Sequence, residues 1–496
     1  MKNSLLKTVA LLVLAPVLTA GLSSCAGNEA KHAEDSSGEL VPASSETVPD
    51  TSSDETSAVV SSGLKAGSKI LFAGDSITDG GRTDYAKKTD LATGYPSKFQ
   101  KYMKRHFSKE KHTYYNTGVS GDTTLDLYFR IQEDVFDLQP DYLFLFIGVN
   151  DSWMGLEQKT FEQRYRLLIK TITEGTNAKI ILFEPFLLEP DQSMTATFDM
   201  ATIKKWIPYI KDEQTIIRKI SEEYNLPLIC LGEAMEQLHT QYGKDYNEIA
   251  SDAIHPSDMG QQVMVDQLML KLGITGYTPQ YPDIDLSGVT PKIKEPAVSD
   301  AASKSGQMPK AQGVTYCAVG KVDAAAKTAK ILLSGGEIVT AKYKGAAPKS
   351  GQVSQYKQTG GECEFQQPAG ERTEPKYGTS ALIAPYARNM FFQTGTGRKY
   401  FDEESVVFVR YSATSWRVFK GRSLARQVGA VAQEGKPVKA YVHSVSKLDG
   451  LADVVGYVMV TGTFGKEDEW KPADQKSTKF LDPLDKGWAE GDKDLS

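Results

Sequence analysis

Lys69-Ile-Leu-Phe-Ala-Gly-Asp-Ser-Ile-Thr78 is the stretch on which the fold turns: an apolar run from Lys69 to Ala73 stops at Gly74-Asp75-Ser76. A strand that ends this way presents a hydroxyl at the carboxyl edge of a sheet, where open α/β folds place their chemistry. Gly, Asp and Ser also make ordinary turns, so the tripeptide alone says little. Three further blocks follow it in order. Asn116-Thr-Gly-Val-Ser-Gly121-Asp-Thr and Ile147-Gly-Val-Asn150-Asp151 each close an apolar segment, and Asp252-Ala-Ile-His255-Pro256 precedes a last helical pattern. Together they supply a nucleophile, donors for an oxyanion and an acid–histidine pair.

The surrounding pattern alternates strand and helix. Apolar runs at Ile70–Ala73, Tyr114–Thr117, Tyr142–Ile147, Lys179–Glu184 and Leu226–Leu231 read as buried parallel strands. Tyr95–His106, Thr123–Asp134, Thr160–Thr173, Thr215–Tyr224 and Ser257–Leu272 carry helical periodicity. The expected architecture is α/β, a doubly wound parallel sheet with the first three blocks at strand ends. Trp153–Glu157 and Glu189–Trp206 read as long connections near that edge, candidates for shaping the acyl and leaving-group pockets.

A serine hydroxyl is a poor nucleophile until a base takes its proton, and an imidazole titrating near neutrality suits that task. Of six histidines, only His255 lies three residues after an aspartate in this context. One turn of backbone can bring Asp252 to Nδ1 and leave Nε2 facing Ser76, which fixes the tautomer and stabilises the imidazolium. Gly121 allows a backbone N–H to approach an oxyanion without a Cβ in the way, although a glycine at a strand end also serves as a plain turn. Asn150 can offer a side-chain N–H to the same oxyanion, or else form an Asx-turn with Asp151; the Ser76 N–H would be the third donor.

The four blocks resemble the GDSL/SGNH hydrolase family, serine esterases of flavodoxin-like fold. The likeness runs from about Lys69 to Leu272. Asp79-Gly-Gly-Arg82, Gly94-Tyr95, Gly148-Val-Asn-Asp-Ser-Trp153 and Phe183-Glu-Pro-Phe-Leu187 are similar to a bacterial esterase branch. The resemblance implies Ser76 as nucleophile, Ser76, Gly121 and Asn150 as the oxyanion hole, and Asp252 with His255 completing the triad. One departure is Ala253, where many relatives have Gly after the Asp; the Asp–His spacing is kept. Reaction type follows from the resemblance, substrate does not.

The other features frame this domain. The chain has 496 residues and a net charge of −6, with no basic run or aromatic-interleaved patch that suggests nucleic acid. No cofactor is expected: there is no metal-ligand spacing of Cys or His and no glycine-rich phosphate loop. Lys2 and Lys7 precede an apolar run, Val9–Leu18, too short to span a bilayer and suited to a signal peptide over 1–24. Leu22-Ser-Ser-Cys25 resembles a bacterial lipobox, which implies lipidation at Cys25 and a membrane anchor on the extracellular face. The Ser-, Thr- and acid-rich stretch 25–67 reads as a disordered tether. Cys230 reads as a core residue, and Cys317 and Cys363 could pair.

The division expected from composition is a hydrolase domain over 68–276, a linker over 277–312, a β-rich accessory region over 313–470 and a polar tail over 471–496. In the β region, Ile331-Leu-Leu-Ser-Gly-Gly-Glu-Ile-Val339 looks like a hairpin, and Val406–Tyr411, Trp416–Phe419, Val438–Val442 and Val454–Val460 read as strands. The stretch 405–464 faintly resembles β-modules of surface-layer-type proteins, with room for two small barrels and a candidate contact with the cell wall. It carries no catalytic constellation, so it is expected to be dispensable for chemistry. The leading reading is a serine esterase acting on short-chain acyl esters, acetyl most simply, of small molecules or polysaccharides. The alternatives are a lysophospholipase or thioesterase, and a non-catalytic surface-binding lipoprotein.

Overall fold

The computed structural model describes residues 61–85, 87–188, 200–288, 306, 315–366, 372–373, 391–394, 397–410, 412–420, 438–462 and 493–496. The signal segment, Cys25, the tether up to residue 60 and tail residues 471–492 lie outside the described residues. The apolar runs of the first half form one parallel sheet: β1 (Lys69–Gly74), β2 (Thr113–Asn116), β3 (Tyr142–Phe146), β4 (Lys179–Phe183) and β5 (Leu228–Ile229). Their order is β2-β1-β3-β4-β5, the flavodoxin-like doubly wound arrangement. β3 is Tyr-Leu-Phe-Leu-Phe and buried at every position, because helices cover both faces of a parallel sheet.

Those helices are α1 (Ser76–Asp79), α2 (Tyr95–His106), α3 (Thr124–Ile131), α4 (Val149–Trp153), α5 (Gln158–Gly175), α6 (Met200–Glu223), α7 (Leu231–Tyr242), α8 (Tyr246–Ile249) and α9 (Asp258–Leu272). Thr123 and Asp126 form a capping box that starts α3, which then passes into a π-helical turn over Gln132–Phe136. α6 is longer than its sequence pattern suggests. It begins at Met200, so the end of the connection expected over 189–206 is helical; residues 189–199 are outside the described set. Pro208 lies within α6, where a proline removes a backbone hydrogen bond and crowds the preceding turn. Ile203, Ile210 and Ile217, seven apart, are all buried on the core side and carry the helix through it.

Packing extends past both ends expected for this domain. Ser62 and Leu64 are buried, and the Ser62 N–H donates to Glu110 Oε1 at 2.7 Å. Beyond α9, Tyr281, Ile284 and Leu286 are buried in the same core, and the Leu286 N–H donates to Gln267 Oε1 at 3.0 Å. The change of composition at Tyr277 therefore does not end the packed chain. Polar residues there lie outside a short apolar set that seals α9.

The C-terminal region holds a closed barrel of β6 (Tyr316–Asp323), β7 (Thr328–Leu333), β8 (Ile338–Tyr343), β9 (Gln352–Thr359) and β10 (Glu362–Gln366). The hairpin read around Gly335-Gly336 is β7 with β8. Cys317 and Cys363 are free, buried thiols of one apolar cluster inside this barrel. In place of a second barrel there is a mixed sheet of β11 (Arg372–Thr373), β12 (Phe391–Thr394), β13 (Gly397–Tyr400), β14 (Val406–Arg410), β15 (Ser415–Lys420), β16 (Val438–Lys447), β17 (Ala452–Gly462) and β18 (Lys493–Asp494). The last residues of the expected polar tail belong to it: β18 pairs with β15, and Leu495 is buried.

This sheet is not separate from the hydrolase core. Tyr400, Ala452 and Val454 join the same buried cluster as the parallel sheet. The Tyr400 ring stacks on Phe129 of α3 with centroids 4.5 Å apart and planes 10° from parallel. Arg164 of α5 donates to the Leu451 carbonyl at 2.9 Å.

Candidate active site

Ser76 stands where β1 turns into α1. A Cβ on Gly74 would lie 2.1 Å from the Phe146 carbonyl oxygen and 2.5 Å from Thr78 Oγ1, so only glycine lets β1 end against β3. Asp75 caps the turn by accepting the Ile77 N–H at 3.0 Å. The Ser76 hydroxyl then lies 2.8 Å from His255 Nε2. His255 Nδ1 lies 2.7 Å from Asp252 Oδ2, and Asp252 Oδ1 accepts the backbone N–H of Ile254 at 3.0 Å and of His255 at 2.7 Å. These bonds suit the tautomer in which Nδ1–H donates to the carboxylate and Nε2 accepts from serine.

The Asp252–His255 turn is closed by Ala253 at φ +67°, a left-handed conformation that favours glycine. A side chain there costs about 1–2 kcal/mol. The departure from the glycine seen in many relatives thus falls on a strained backbone position. Burial alone would depress the His255 imidazolium, but the bond to Asp252 and the charges of Asp252 and Asp75 outweigh it and raise its pKa. Burial opposes ionisation of Asp252 in turn, and its bonds to His255 outweigh that and hold its carboxyl below the ordinary value.

The donor side of the site is built from two loops. Gly121 has φ +85°, and its N–H meets no acceptor among the described residues. Asn150, in the first turn of α4, donates through Nδ2 to the Asp122 carbonyl at 2.8 Å, leaving its second N–H available. That bond ties the third block to the second. Val119 N–H donates to the Gly74 carbonyl at 3.0 Å and Asn116 Nδ2 to the Thr78 carbonyl at 2.7 Å, which tie the second block to the first. All five residues singled out from sequence are therefore brought into one bonded constellation at the carboxyl edge of the sheet. Cys25 lies outside the described residues.

Several supporting residues escaped the sequence reading of roles. Buried Arg82 bonds Asp79 and donates to the Asn116 and Gly118 carbonyls, fastening the second block from below. Asp79 also accepts from Tyr85 at 2.8 Å and Ser120 at 2.6 Å. Its sequence signal is Asp79-Gly-Gly-Arg82, one of the stretches similar to the esterase branch. Arg130 is buried between Asp122 and Asp134 and holds the Asp122 side of the loop. Beneath the site, burial pushes the Asp75 carboxyl up to about 7 against the pull of Ile77 N–H and His255. Burial likewise pushes Asp151 up to about 7, against its bonds from Thr124. Glu213 of α6 is raised well above its ordinary value by burial and by the Asp151 charge. Nothing near Glu213 in sequence marks it as part of this floor. Among the described residues no group of three His, Cys, Asp or Glu side chains is placed to hold a metal ion.

The model of the GDSL-like Lipase/Acylhydrolase family matches residues 72–263. The chain is similar to an acetylxylan esterase of Geobacillus stearothermophilus, with 28% identity over 225 residues that cover 42% of this chain and 96% of that protein. It is also similar to an uncharacterized lipoprotein of Bacillus subtilis, 36% identical over 101 residues, covering 20% of this chain and 38% of that one. Among solved structures, an alpha/beta hydrolase from the metagenome of Lake Arreo aligns at 26% identity and TM-score 0.37, covering 43% of this chain and 98% of that chain.

Proposed function

Residues 72–263 form a GDSL-like lipase/acylhydrolase domain, a carboxylic ester hydrolase, and from that premise we propose that the chain removes short acyl groups, acetyl above all, from carbohydrate through an acyl-enzyme on Ser76. The observation that carries this reading is the unbroken chain from the Ser76 hydroxyl through His255 to Asp252, at 2.8 and 2.7 Å. In this reading Ser76 Oγ attacks the ester carbonyl carbon as His255 Nε2 takes its proton. The Ser76 and Gly121 N–H groups and Asn150 Nδ2 hold the oxyanion, and Asp252 stabilises the imidazolium. His255 returns the proton to the departing alcohol, leaving an acyl ester on Ser76. Water then repeats the attack, giving its proton to Nε2, and the acid leaves as Ser76 is reprotonated.

The acetyl-on-carbohydrate reading draws on the Geobacillus esterase, which this chain matches along nearly its whole length. A second support is aromatic. Trp153 lies three residues after Asn150 on α4, hence toward the same side of the helix, and its ring stacks on Trp206 at 4.0 Å. Both residues are half-buried. A lipid anchor at Cys25 would hold the enzyme at the outer face of the membrane, with the β region toward the wall. The test of substrate is kcat/KM on p-nitrophenyl acetate against p-nitrophenyl dodecanoate, followed by acetate release from acetylated xylan. Preference for acetyl with acetate released is the expected result; preference for dodecanoyl with none released moves the enzyme to lipid substrates. Replacing Cys25 by Ser should release the protein from the membrane fraction.

A further inference from the structure

The second-block loop is held on one side by the hydrolase and on the other by the β region. Gly121 needs such holding, because an added Cβ at this residue would meet nothing within 4 Å. Nothing packs where its side chain would lie, and one backbone bond, from the Asp122 N–H to the Val119 carbonyl at 3.2 Å, closes the turn around a glycine at φ +85°. Its orientation must come from hydrogen bonds on its neighbours. Ser120 Oγ is fixed to Asp79, and the Asp122 carbonyl to Asn150. The remaining polar group, the Gly121 carbonyl, accepts from Arg398 Nη2 at 3.5 Å.

Arg398 lies on β13, in the hairpin it forms with β12. Its Nη1 pairs with Asp126 Oδ2, the oxygen that also takes the Thr123 N–H and hydroxyl, each at 2.7 Å, in the cap of α3. One guanidinium therefore spans the loop from Gly121 to the start of α3, a planar fork that a point charge cannot reproduce. The hairpin presents it rigidly. The Phe391 ring lies 4.4 Å from Arg398 Cζ, and Tyr400 stacks on Phe129. Asp126 is 4% exposed, so breaking the pair leaves a carboxylate buried without its cation.

We propose that Arg398 is a positioning residue for the ester hydrolysis: the β hairpin reaches across 277 residues of sequence to hold Gly121 where its N–H meets the oxyanion, so the C-terminal region completes the hydrolase site. This rests on the reading of Ser76 and Gly121 given above. A donor displaced by about 1 Å can cost on the order of 100-fold in rate. Because a donor to the oxyanion acts on the transition state, the loss should fall on kcat rather than KM.

The test uses the full chain with Arg398→Gln, which keeps the side-chain stem over Phe391 and removes the fork, alongside Arg398→Lys. On p-nitrophenyl acetate, Arg398→Gln should lose about 10- to 100-fold in kcat with KM within about twofold, and Arg398→Lys should recover part of that loss. Near-UV circular dichroism and active-site titration with a fluorophosphonate set the folded, reactive fraction. If Arg398→Gln does not fold, Arg398→Lys carries the test with a several-fold fall in kcat. Wild-type kcat per folded molecule in the variant that folds, or a loss confined to KM, overturns the proposal. Ser76→Ala is measured in parallel. Turnover that survives there breaks the reading of the nucleophile itself, whereas an inert Ser76→Ala beside a fully active Arg398→Gln breaks only the role of Arg398.

Discussion

The parallel sheet and the C-terminal β barrel run their strands in different ways, and chemistry follows the difference. β3 is buried at all five positions, whereas β8 at the barrel surface has only Ala341 and Tyr343 of its six residues buried. A strand covered on both faces must lead at its end into a loop that crosses to a helix, and parallel strands all lead out at the same edge. Ser76, Gly121 and Asn150 follow three adjacent strands, so their loops converge. In the barrel, successive strands reverse direction, so successive loops go to opposite ends and three in a row cannot converge. Its neighbouring mixed sheet contributes otherwise, through the Arg398 and Tyr400 side chains of one hairpin pressed on α3. One region makes the site; the other steadies a loop of it.

The strongest way to break this division is at the converging loops. Ser76→Ala or His255→Ala should cut turnover of p-nitrophenyl acetate by about 10³- to 10⁶-fold with the circular dichroism spectrum unchanged, since triad members act as a unit. Turnover near wild type in either variant would place the chemistry elsewhere in the molecule.

Asp252→Asn should cost on the order of 10³- to 10⁴-fold in kcat by loss of tautomer control. It should also move the pH profile. His255 must be neutral to act as base, and Asp252 and Asp75 raise its pKa above the ordinary 6.5. Activity in the native enzyme should therefore rise with pH through a midpoint above 6.5. With Asp252 replaced, the hydrogen bond and charge that favour the imidazolium are gone, and the midpoint should shift to lower pH. A midpoint that stays or rises would mean that Asp252 does not face the imidazole in solution.

Tyr400→Ala addresses the contact between the regions. Removing a buried aromatic side chain should destabilise the protein by about 3 kcal/mol. Because its ring packs on Phe129, protection of α3 amides in hydrogen exchange should fall along with that of β13. Loss confined to the β region would mean that the two parts unfold independently.

The smallest expected effect is at Ala253→Gly. Relief of the left-handed strain, about 1–2 kcal/mol, is offset by the chain entropy of glycine and the loss of a buried methyl. A change in denaturation midpoint equivalent to less than about 1 kcal/mol, with kcat retained, is expected. A large loss of either would give the methyl a packing role beyond the turn.

The sequence by itself determined the parallel α/β fold, the four blocks and their order, and six of the thirteen strands described in the second half. Each rests on contacts within a few residues: an apolar run that ends in Gly-Asp-Ser, an aspartate three residues before a histidine, a Gly-Gly turn between two short strands. Such signals survive in one dimension. Only the tertiary structure decided that α6 runs through Pro208 on its buried isoleucines, that Leu495 and β18 close onto β15, and that the chain past Tyr277 still packs on α9. The same holds for Glu213 beneath the donors and Arg398 beside them. A glutamate inside a polar helix, or an arginine after a glycine, reads locally as a solvated charge. Arg398 meets Asp126, and Glu213 its buried place next to Asp151, only when distant segments share one core, and placement at that distance is set by packing and burial, not by neighbouring residues.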